Sequence, residues 1–242
     1  MRLQDKPPEL LTFTPLFGVM LRINAQRAKV AVIFIWVVLA IQLLSGISSF
    51  LQYELLTRMG SGEFDFDEIY ANDTREQAIA ILHLALYLLS TVFFIRWFRR
   101  AYFNLHLLRR DLQFSEGWAA GAWFVPIVNL FRPYQIMTDL YRGMQDELQK
   151  RQLTGADLSL SYVKTWWAVW IGAMVIGQIV FRYALVAENL DELILSTIFQ
   201  LSISVFQIPL TIVTARVIRN YSEAENVLYE YLVSPRETHR ED

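Results

Sequence analysis

EGWAAGAWFVPIVNLFRPYQ, Glu116–Gln135, is apolar enough for a membrane, short for a crossing, and broken by Pro126. Its centre, residues 117–131, has 15 residues. That is about 23 Å as a helix, against a hydrocarbon core of about 30 Å. Whether this stretch crosses decides the topology of everything that follows it.

Its surroundings are those of a membrane protein. Hydrophobic residues make up 54% of the chain and charged residues 19%, below the roughly 25% of soluble domains. Mean hydropathy is +0.29, and the apolar residues gather in four long runs, at about 30–50, 79–97, 166–181 and 193–214. The first, VAVIFIWVVLAIQLLSGISSF, gives about 31 Å as a helix, one hydrocarbon thickness. It starts too far from Met1 for a cleaved signal peptide and reads as an uncleaved anchor. Pro209 predicts a kink near one end of the fourth. The expected fold is an all-α membrane protein with four transmembrane helices.

Lysine and arginine set the orientation. Residues 1–29, 96–164 and 216–242 hold nineteen of them; the connections 53–76 and 182–192 hold three. The positive-inside rule then puts both termini and the middle segment in the cytoplasm. The domain reading is a cytoplasmic, interfacial N-terminal segment (1–29), one four-span domain (30–220) and a cytoplasmic tail (221–242). GEFDFDEIYAND, Gly62–Asp73, reads as an acidic outer loop lacking EF-hand spacing. No metal and no cofactor are expected. The absence of cysteine excludes disulfides, thiolate metal sites and cysteine nucleophiles. His83, His106 and His239 are too scattered for a zinc cluster, and nothing reads as a nucleic-acid groove.

The spans hold no Asp, Glu or Lys, which usually mark ion paths. His83 and the glutamines Gln42, Gln178, Gln200 and Gln207 read as interhelical hydrogen-bonding groups. The two hairpins share no repeated motif, which disfavours a coupled transporter.

WFRRAYFNLHLLRRDL predicts that the second span continues past the bilayer as a helix. Its Arg99, Arg100, Arg109 and Arg110 would lie among anionic headgroups. If 117–131 crossed, the later topology would invert against the charge count. It is therefore expected to be re-entrant or interfacial on the cytoplasmic side, with Trp118 and Trp123 at headgroup level and Gly117 and Gly121 allowing close packing. Pro133 opens an amphipathic helix, 133–150. Its apolar stripe is Met137, Leu140, Tyr141, Met144 and Leu148, opposite Asp139, Asp146, Glu147 and Lys150. It would lie on the membrane or against the extended second helix. LLTFTPLFGVML (10–21) suggests a further interfacial element, and RVIRNYSEAENVLYEYL a continuation of the fourth span, apolar at Val227, Leu228, Tyr231 and Leu232.

WFRRAYFNL (Trp97–Leu105), the opening stretch, and TWWAVW (Thr165–Trp170) together resemble the bacterial membrane family catalogued as domain of unknown function 4328. Trp97, Arg100, Ala101, Tyr102, Asn104, Gly117, Trp118, Trp123, Phe124, Pro126, Asn129, Arg132, Pro133 and Tyr134 carry the likeness, over roughly residues 80–220. The acidic outer loop and the final helix depart from it. The resemblance implies a multi-pass fold in a bacterial plasma membrane and supplies no activity.

The functional expectation is a non-enzymatic module binding lipid headgroups or a partner protein at the cytoplasmic face. Its candidate site is Arg100, Tyr102, Asn104, Trp118, Trp123, Asn129, Arg132 and Tyr134, in which Arg100 and Arg132 would share a phosphate. The plainer role for Asn104, Asn129 and Tyr134 is to satisfy broken backbone around Pro126. Membrane lipids, a second copy or another membrane protein are the expected partners. One alternative is an enzyme on a lipid-type substrate using Asp111, Glu116, Asp139 or His106, although no catalytic motif supports it. The other is an oligomeric channel or transporter component.

Overall fold

The computed structural model describes residues 21–63, 65–155 and 157–233. Most of the 10–21 element, His239 and the end of the C-terminal tail lie outside the described residues. The helices are α1 (Ala25–Gly60), α2 (Phe66–Leu108), α3 (Trp118–Gly121), α4 (Arg132–Lys150), α5 (Leu160–Ala184) and α6 (Leu190–Val233), with a 3₁₀ turn at Val128–Leu130. No strand occurs among the described residues.

α1, α2, α5 and α6 are each long and apolar enough to cross a membrane. Three of them overshoot it. α2 has 43 residues, about 65 Å of helix, twice a hydrocarbon core. The acidic stretch expected to be a loop is mostly the first turns of α2, so that expectation is corrected. Asp65 caps the helix by accepting from the Asp67 N–H at 3.1 Å, and Asp67 and Glu68 favour the positive end of the dipole. α6 starts in the same way. The Glu192 N–H donates to Asn189 Oδ1 at 3.0 Å, and the Asn189 N–H donates to Glu192 Oε2 at 3.5 Å, a reciprocal cap.

The long helices form an arc in the order α2, α1, α6, α5, with α1 packed on both α2 and α6 and α5 packed on α6. α2 and α5 are the two ends of the arc and flank a gap. α1 and α6 meet at Gly46, where a Cβ would stand 3.1 Å from Ser204 Oγ. One turn away Gln42 Nε2 donates to that same hydroxyl at 3.0 Å, the interhelical role expected of it.

α4 closes one end of the arc, packing on α2, α5 and α6. Ile136, Met137, Leu140, Tyr141, Met144 and Leu148 are all buried there, so of the two placements expected for this helix the protein-packed one is adopted. Glu147 is not on the solvent face as expected. It is buried and accepts from Lys150 Nζ at 2.8 Å and Arg151 Nη1 at 2.5 Å. At this end the core is densest: Trp97, Phe98, Tyr102, Leu105, Ile218 and Tyr221 are fully buried. α6 carries Tyr221, Ala224 and Leu228 into it, so 221–233 continues the helical core, whereas Tyr231 and Leu232 stay partly exposed.

Candidate functional site

Successive α2 positions turn by about 100°, and this phase divides the expected site. Asn104 faces α1 and α6. Its Oδ1 accepts from the Arg22 N–H at 3.0 Å, and its Nδ2 donates to the Arg22 carbonyl at 2.8 Å and to Glu225 Oε1 at 2.7 Å. Asn24 Nδ2 donates to the other carboxylate oxygen, Oε2, at 3.0 Å. Asn104 does satisfy irregular backbone, but that of the segment entering α1 and not the stretch around Pro126. Glu225 is the residue that sequence reasoning missed. It is 3% exposed, and burial pushes its carboxyl up to about 7, against the downward pull of Asn104, Asn24 and Arg100. Its signal was positional: it sits within the Tyr221, Ala224, Leu228 stripe.

Arg100 acts on this carboxyl, and three further arginines, Arg22, Arg27 and Arg96, gather near Arg100. Arg22 and Arg100 flank the Phe103 ring, with guanidinium carbons 4.3 and 5.8 Å from its centroid. Arg27 Nη1 donates to the Arg96 carbonyl at 3.3 Å. Burial, then Arg100, then Arg96 hold the Arg27 guanidinium below its ordinary value. None of the four has a carboxylate within salt-bridge distance among the described residues. Arg99 and Arg109, by contrast, are paired, with Glu116 at 3.3 Å and with Asp111 and Asp146 at 2.7 and 2.5 Å.

Tyr102 faces the other way, toward α4. Its hydroxyl donates to the Phe114 carbonyl at 3.1 Å and lies 3.5 Å from Asp139 Oδ2. Burial raises both the Tyr102 and the Asp139 values. Arg132 is stacked on Phe114 at 3.9 Å and Trp118 at 5.2 Å. Arg100 and Arg132 therefore have separate neighbours and do not share a ligand position. Tyr134 lies against Trp167 at 6.2 Å. Trp123 meets Phe94 of α2 edge-on at 5.4 Å and Trp170 of α5 at 5.9 Å, bridging the gap between the arc's ends. Trp123 and Asn129 together roof a cavity in that gap.

The roof is not one helix. α3 and the 3₁₀ turn are separated by a tight reversal at Pro126, where Ile127 takes φ +68° and ψ −53°. The Val128 N–H donates to the Pro126 carbonyl at 2.8 Å, a γ-turn. Such a φ in a β-branched residue is strained. Phe124 and Ile127 project from this tip, each 74% exposed.

The acids considered for catalysis all have partners: Asp111 with Arg109, Glu116 with Arg99, and Asp139 with Tyr102. No group of three or more His, Asp or Glu converges as for a metal ion among the described residues.

Fold and site together define an all-helical protein with four candidate membrane helices and a helical cap at one end. Within that class the chain belongs to the family described as Domain of unknown function (DUF4328), whose family model matches residues 61–223. Comparison with curated proteins finds no match, and comparison with solved structures finds none.

Proposed function

We propose that the protein is a non-enzymatic multi-pass module of a bacterial plasma membrane that binds anionic lipid headgroups at its cytoplasmic face. Four crossings return both chain ends to one side, and nineteen of the 22 lysines and arginines lie in the segments of that side. The exposed apolar tip at Phe124 and Ile127 is read as dipping into the bilayer from the same side, its irregular backbone backed by protein.

The observation that carries the reading is the uncompensated cluster of Arg22, Arg27, Arg96 and Arg100 just beyond the apolar runs. Mutual repulsion there is relieved by a phosphate, which guanidinium groups hold by paired, charge-assisted hydrogen bonds. Glu225, the nearby acid, is held toward its neutral form and neutralises the cluster only in part. Calorimetric titration with short-chain phosphatidylglycerol in detergent tests this. At about 1 kcal/mol per arginine, the Arg27→Gln/Arg96→Gln/Arg100→Gln variant loses on the order of a hundredfold in affinity. Affinity equal to wild type in the folded variant, or equal affinity for short-chain phosphatidylcholine, would refute it.

A further inference from the structure

The gap between α2 and α5 encloses a cavity of about 420 Å³, within the range of about 300–1,000 Å³ typical of ligand pockets. Its walls come from all four long helices, with Trp123 and Asn129 above. No charged side chain lines it, and none of the clustered arginines reaches it. α2 and α5 are not packed along their length, although Phe94 and Trp166 approach to 6.3 Å, and the opening left between them would face lipid.

The polar groups within it are the informative feature. Thr91 and Thr214 return their hydroxyls to their own helices, donating to the Tyr87 and Leu210 carbonyls at 2.9 and 2.6 Å. Other lining residues have no such bond: Trp123 Nε1 and Asn129 Oδ1 in the roof are buried without a partner among the described residues. The Thr211 hydroxyl is buried with no partner, on a residue 1% exposed. The Gln207 carboxamide and the Ser90 hydroxyl likewise have no hydrogen-bond partner among the described residues, although both line the cavity. Polar groups at hydrocarbon depth are costly when unpaired, and here Thr211, Gln207 and Ser90 face one apolar, aromatic-walled space.

We propose that this cavity binds a single uncharged amphiphile from the lipid phase, a long-chain molecule bearing a hydroxyl or carbonyl group. Its polar group meets Gln207, Ser90 and Thr211, and its chain leaves between α2 and α5. A phosphate is excluded because nothing in the cavity neutralises it. This site stands independently of the arginine cluster.

Trp123, Trp166 and Trp170 line the cavity and report its occupancy. The full chain is reconstituted in phosphatidylcholine vesicles containing a diacylglycerol with brominated chains, a tryptophan quencher. Quenching saturates at a low mole fraction of the brominated lipid. It disappears in Ala173→Phe, which fills the cavity, and Gln207→Leu raises the half-saturation point about tenfold, the worth of roughly one hydrogen bond. The Arg27/Arg96/Arg100 variant behaves as wild type, so the two sites fail separately. Quenching that rises linearly with mole fraction would overturn the proposal. So would saturation unaffected by Gln207→Leu, or equal quenching by brominated phosphatidylglycerol.

Discussion

Neutralising Glu225 changes how stability depends on pH, by an amount the structure specifies. The carboxyl lies beyond the apolar run 193–214, is 3% exposed, and is raised from 4.5 to about 7, chiefly by burial. Below pH 4.5 the folded and unfolded chains both carry the proton, and no charge is buried. Between 4.5 and 7 the unfolded chain releases its proton first, so stability falls as pH rises; above 7 the full amount has been lost. At about 1.4 kcal/mol per pH unit, that gap is worth on the order of 3 kcal/mol. Chemical unfolding in detergent micelles, followed by tryptophan fluorescence from pH 4.5 to 8, measures it. The comparison is wild type against Glu225→Gln, which cancels the titration of other groups. The wild type loses on the order of 3 kcal/mol relative to the variant over this range. Arg100→Ala removes an attraction that lowers the carboxyl's value, so the loss extends to higher pH. A difference between wild type and Glu225→Gln that is flat across the range would refute the reasoning.

Other consequences are open to direct measurement. The chain has no cysteine, so single cysteines report topology cleanly: Ser61→Cys reacts with an impermeant maleimide from outside intact cells, and Arg142→Cys only after permeabilisation. Gly46→Leu forces atoms into the 3.1 Å approach to Ser204 and destabilises the detergent-solubilised protein by about 1–3 kcal/mol. Asn104→Ala leaves the Arg22 backbone and Glu225 without their partners, which costs at least about 2 kcal/mol in the same unfolding assay.

What could be read from the sequence followed from the physics of each element. The four apolar runs were plain because hydrocarbon demands long uninterrupted hydrophobicity. The C-terminal continuations of α2 and α6 were legible from helical spacing and are present, whereas the first turns of α2 were not, because charged residues there read as loop. In FDFDEIYAND the acids that suggested a loop are the cap and first turn of α2. The α4 stripe was legible from its period, except for Glu147, whose partners Lys150 and Arg151 stabilise a buried charge. At the site, Arg100 and Arg132 were read as neighbours on one phosphate, whereas Arg100 lies by Phe103 and Arg132 by Phe114 and Trp118. A two-residue offset on a helix turns side chains by about 200°, and only tertiary packing shows which neighbour each one meets. Glu225 was passed over for a similar reason, and Gln207, read as an interhelical hydrogen-bonding group, instead lines the cavity between the helices. Both are set apart only by where the helix turns them.

An anionic headgroup held by Arg27, Arg96 and Arg100 is tested most directly by native mass spectrometry. The protein is released from membranes holding equal phosphatidylglycerol and phosphatidylethanolamine. The predicted result is retention of phosphatidylglycerol at collision energies that strip phosphatidylethanolamine, lost in the Arg27→Gln/Arg96→Gln/Arg100→Gln variant. Equal retention of the two lipids, or phosphatidylglycerol held as firmly by the folded variant, would contradict it.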